Sequence, residues 1–172
     1  MAKKHTTQYN FQELREQVMA VAHQAVDTAL TVSAERYVKP LVQEVMFAQL
    51  NKEVYGVYTP KYYRRRESEG GLADFNNMRI EFVRTDPNHA KVVIENVAPM
   101  AHKHTSNVPT ALADMVNDGL DQAKDNPDAP IYQRPRPFMD TTIEELETGV
   151  LQTTFRDGFN ATMNAILKGM IK

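Results

Sequence analysis

The hydrophobic period of this chain changes twice, and that change restricts its fold more than any single motif does. From the N-terminal side, Phe11, Leu14, Val18, Val21, Ala25 and Ala29 recur every three or four positions, which lines them along one side of a helix. In the middle, Met78, Ile80 and Phe82, then Val92 and Ile94, recur every second position, the period of a half-buried strand. From Ile143 the helical period returns through Leu146, Val150, Phe155, Phe159, Met163, Ile166 and Met170. Helical ends around two neighbouring strands imply an α+β fold, because a parallel sheet needs a crossover helix between its strands.

The boundaries follow from breakers and turn chemistry. Helix one is expected over about 10 to 36, and Lys39-Pro40 is expected to interrupt it, since proline disfavours helical geometry in the residue before it but suits the first turn of a new helix. A second helix is expected over about 40 to 54, with Leu41, Val45, Met46, Leu50 and Val54 inside and Gln43, Glu44, Gln49 and Lys52 outside. The stretch from 55 to 77 is rich in tyrosine and arginine and reads as an ordered loop, because docked aromatic rings give a large contact area at low entropic cost. An antiparallel hairpin over 78 to 97 turns at Asp86-Pro87-Asn88. Such a ribbon is marginal alone and must be covered by the helices or extended by another subunit's strands.

Residues 98 to 139 are expected to be loops around one short helix, about Pro109 to Leu120, ending near Gly119. Pro127, Pro130, Pro135 and Pro137 make the stretch after it an extended arm. Thr141-Thr142-Ile143-Glu144 has the capping-box pattern, so a long C-terminal helix is expected over 140 to 170, with close packing or a bend at Gly149 and Gly158. At 172 residues a single domain, 1 to 172, is expected.

Composition excludes several chemistries. The chain has no cysteine, which removes disulfides, thiolate metal sites and cysteine nucleophiles. Its formal charge of -2 supplies no global attraction to nucleic acid. No apolar run approaches the roughly eighteen residues of a membrane-spanning helix, and the start shows no signal-peptide pattern, so a soluble chain without membrane contact is expected. His102 and His104, with His89, could approach a metal, but no further ligand stands at fixed spacing. Asp114, Asp118, Asp121, Asp125 and Asp128 lack the glycine and terminal glutamate of a calcium loop and read as a solvated acidic face. The phosphate-loop, GxSxG and HExxH signatures are absent. No catalytic residue, metal or cofactor is therefore assigned, and a metal-dependent enzyme on His102, His104 and the aspartates is the least supported reading.

One cluster remains for recognition. Tyr62 and Tyr63 precede Arg64-Arg65-Arg66, a combination suited to phosphates and bases, with Lys61 beside them, or to a protein partner. Glu67 and Glu69 offset the positive field, so protein contact is preferred over the alternative, a nucleic-acid-binding accessory protein. The suspected interface comprises Tyr55, Tyr58, Pro60, Tyr62, Tyr63, Arg64, Arg65, Arg66 and Leu72. Arg136, Pro137 and Phe138 form a rigid lead whose ring is expected to anchor the last helix in an apolar pocket.

These residues also carry a resemblance. The run from Val54 to Arg65, then Gly70-Gly71-Leu72-Ala73-Asp74 and Asn77-Met78, resembles a block of small structural proteins of tailed bacteriophages that infect Gram-positive hosts. Ile94-Glu95-Asn96-Val97-Ala98-Pro99 resembles their strand ending, and Arg136-Pro137-Phe138 with Thr142-Ile143-Glu144-Glu145-Leu146 resembles their lead into the last helix. The blocks fall in the same order over about residues 54 to 148, although the loop from Met100 to Pro135 is long and Arg66 is additional. The resemblance implies a minor head or tail-completion protein: a non-enzymatic virion subunit, assembled in the host bacterial cytoplasm, that forms a homo-oligomeric ring at the neck. Its implied partners are portal, adaptor or tail-tube proteins, with a passing contact to packaged DNA.

Overall fold

In the computed structural model, residues 10–57, 59, 67–86, 89–99, 112–119, 128, 130 and 133–170 are described. The architecture is α+β: a long helical rod, a central two-stranded antiparallel sheet, and two C-terminal helices that return along the rod. Helix α1 spans Phe11–Ser33 and α2 spans Lys39–Gln49. Strand β1 is Met78–Asp86 and β2 is His89–Asn96. Helices α3, Leu112–Asp118, α4, Phe138–Glu147, and α5, Val150–Met170, complete the fold. Asn10 starts α1 as its side-chain oxygen accepts the amides of Gln12 and Glu13.

The expected break at Lys39-Pro40 does not occur. Backbone helicity runs through it, because a wide π turn at Ala34–Val38 joins α1 to α2, and a second at Leu50–Tyr55 ends the rod. Lys39 bonds five residues back, to the Ala34 carbonyl, and Pro40 then sits at the first positions of α2. The wider turn shifts the hydrogen-bond ladder just where proline lacks a donor. The inner face keeps the expected Met46, Leu50 and Val54 but differs in its first half for the same reason. Val38, Val42, Met46, Leu50 and Val54 are the buried line, while Leu41 and Val45 only flank it.

Helix α4 packs on α2, and α5 packs on α1 and the first π turn, so the C-terminal helices run antiparallel to the rod. The closest approach is at Gly158, where an added Cβ would stand 2.8 Å from the Tyr37 ring and 2.9 Å from Ser33 Oγ. The buried Ser33 hydroxyl donates to the Phe155 carbonyl at 2.7 Å across the same contact. The expected single C-terminal helix is two helices, because Gly149 adopts a φ of 102° that ends α4 and restarts the chain as α5. The capping box is also displaced. Helix α4 begins at Phe138, and Thr141 lies inside it with its hydroxyl bonded back to the Pro137 and Phe138 carbonyls.

In the sheet, Met78 pairs with Asn96, Ile80 with Ile94 and Phe82 with Val92, which sets the apolar residues on one face. That face lies on the helices. Met78 and Ile80 are buried, Phe82 stacks on Phe155 with ring centroids 6.1 Å apart, and Arg84 bonds Asp27 of α1 at 3.1 Å. The opposite face carries Arg79, Glu81, Val83, Lys91 and Glu95 and is exposed.

Candidate interaction surface

Two small polar devices fix the ends of the segments singled out in the sequence. After the tyrosine and arginine stretch the chain descends into the core at Leu72 and Ala73, which are 4% and 3% exposed. The buried side chain of Asn96, at the end of β2, donates to the Leu72 carbonyl at 2.7 Å and accepts the Ala98 amide at 3.2 Å. Asn77 donates to the Gly71 carbonyl at 2.8 Å. Asp74 accepts the amides of Asn76 at 2.9 Å and Gly70 at 2.8 Å, and these bonds, with a further one from the Asn76 side chain, hold its carboxyl below the ordinary aspartate range. Asp74 thus ties both ends of one turn while it is ionised.

The second device is the start of α4. Asn117 of α3 accepts the Met139 amide at 3.0 Å and donates to Asp140 at 3.1 Å, capping α4 from another helix. The Arg136 amide donates to the Val116 carbonyl at 2.9 Å at the end of α3. With the backbone held on both sides, Phe138 is fully buried in the main core.

The residues singled out in the sequence divide into those of the core and those outside the described residues. Tyr55 is partly buried against the core. Leu72 belongs to the core of this chain, so it is not a surface a neighbour could touch. Arg136, Pro137 and Phe138 lead into the core as a unit. Tyr58, Pro60, Tyr62, Tyr63, Arg64, Arg65 and Arg66 lie outside the described residues, as do His102 and His104 and the side chain of His89. Among the described residues, no three His, Asp or Glu side chains converge as a metal site would require, and no helix is long and apolar enough to cross a membrane.

The feature that the periodic reading did not separate is at the N-terminal end. Phe11, Leu14, Val18 and Val21, which share the helical stripe with Ala25 and Ala29, are 80%, 50%, 59% and 48% exposed, whereas Ala29 is fully buried. Every residue from Phe11 to Gln24 is exposed. The apolar stripe of α1 therefore continues past the body of the molecule as an uncovered arm. Periodicity reports that a stripe will be buried, not which chain buries it.

A helical hairpin carrying a two-stranded sheet, with one helix exposing an apolar stripe at its N-terminal end, defines a small α+β protein. The YomN family model matches residues 10–165, and the chain belongs to that family. The family is named after a gene of the Bacillus phage SPBc2, which points to a phage-derived protein. No curated protein matches the chain, and no solved structure does.

Proposed function

We propose that this chain is a structural virion protein of a tailed bacteriophage, a ring-forming subunit of the head-tail connector that works by contact and makes or breaks no bond. The observation that carries the reading is the uncovered arm of α1. Four large apolar side chains on one stripe of a helix, exposed together, are costly in water and useful when a neighbour covers them. The family's phage association and the resemblance of residues 54 to 148 to neck proteins support the same reading. The segment from 58 to 66, rich in tyrosine and arginine, is proposed as the second contact, offered by each subunit to the next around a closed ring.

The test is particle assembly. The protein is expected in purified virions, and phage carrying Leu14→Asp with Val18→Asp should accumulate heads and tails that do not join. Absence from virions, or a normal yield of joined particles from the double variant, overturns the proposal.

A further inference from the structure

Among the described residues, no strand lies beyond β2, so its outer edge is open. The Val97 amide bonds the Asn77 carbonyl at 2.8 Å, and in an antiparallel ladder such bonded pairs alternate with unbonded ones. The register then makes Arg79 with Glu95, Glu81 with Val93 and Val83 with Lys91 the bonded pairs. The amides and carbonyls of Ala90, Val92 and Ile94 therefore point outward, away from β1. Among the described residues, no hydrogen bond reaches them. β1 is the strand held to the helices, through Phe82 on Phe155 and Arg84 on Asp27. Burial falls across the ribbon accordingly: Ile80 is 6% exposed, while its partner Ile94, and Val92 beside it, are only partly buried.

We propose that this edge pairs with β2 of a second copy of the chain, antiparallel about a two-fold axis through Val93, to form a four-stranded sheet. The side chains choose that partner and that register. Centred on Val93, Lys91 of each copy stands opposite Glu95 of the other on the outer face, and Val93 meets Val93. On the inner face Val92 meets Ile94, with the outward backbone groups of both strands aligned for bonding. A shift by two residues either way sets Lys91 against Val93 or leaves Glu95 against Val93, and a shift by one turns an apolar face to water. Lys91 makes no ion pair among the described residues of its own chain, so the contact supplies its partner. Main-chain bonds give such an added strand its affinity, and side-chain pairs give it specificity.

The contact is two-fold and closes as a dimer, apart from the arm of α1, and it does not rest on the virion reading. The full-length protein is expected to sediment as a dimer. Lys91→Glu sets two acidic pairs face to face, and Glu95→Lys sets two basic ones, so each variant alone should dissociate about tenfold more readily. Mixed in equal amounts they should form heterodimers at least as tightly as wild type, because both outer pairs then set an acidic side chain of one chain against a basic side chain of the other. Circular dichroism of each variant matching wild type shows that the effect is on association. A monomeric wild type, with Lys91 then acting as a guard of the edge, overturns the proposal. So does a dimer that the charge variants leave unchanged, or a mixture that fails to pair.

Discussion

Asp74, Asn96, Asn117 and Gly158 each act at a point where two parts of the chain meet, and none belongs to an apolar stripe. Gly158 lies where α5 crosses the rod, and its hydrogen occupies the only space that Tyr37 and Ser33 leave. Gly158→Ala is therefore expected to destabilise the fold by about 1–3 kcal/mol, although alanine is the better helix former, and urea unfolding measures it. Asp74 gives a pH dependence of known sign. Its folded-state carboxyl is held low first by the Asn76 amide and then by the Gly70 amide, so its contribution is full above the unfolded value and is lost as pH falls through the folded one. Asp74→Asn should lower the melting temperature at neutral pH, and the difference from wild type should shrink below about pH 4. A difference that stays constant from neutral to acid pH would show that the charge of Asp74 is not what holds the turn. These positions were only partly legible in the sequence. Gly158 reads from the sequence as a place of close packing or bending, whereas Asn117 gives no local sign that it caps a helix some twenty residues away.

Among the elements, the type of each was readable from its period, and the joints between them were not. The two strands and their inward faces follow directly from alternation, as Met78, Ile80, Phe82, Val92 and Ile94 all turn to the helices. The rod is different. Buried positions at Val38, Val42, Met46, Leu50 and Val54 fall every fourth residue, which drifts by about 40° per step around a regular α-helix. The π turns at both ends of α2 slow that rotation and keep the line facing α4. A reading confined to the ideal period picks Leu41 and Val45 instead, and treats Pro40 as a stop. At the other joint, Gly149 takes a backbone conformation that side chains with a Cβ adopt only with strain. Gly149→Ala is expected to cost about 1–2 kcal/mol in thermal or chemical unfolding, although no side chain lies near enough to clash.

For the molecule as a whole, the uneven length of its two helical arms matters most. Every residue of the rod from Phe11 to Gln24 is exposed, whereas burial begins further along, at Ala25 and Ala29. In the isolated protein, amides of residues 11 to 21 should exchange with solvent much faster than those of Val38 to Leu50, as hydrogen exchange with mass spectrometry can measure. Equal protection in a monomer would mean that the arm is held by something within the chain. Residue order alone specifies the α+β class, the succession of the elements, the facing of the strands and the anchoring of Phe138, because each follows from local period or local turn chemistry. Only packing in three dimensions made the rod continuous, drew Leu72 into the core and left the first stripe of α1 bare. Those outcomes depend on which surfaces lie opposite one another and how far each element reaches, and a hydrophobic pattern carries no record of its partner.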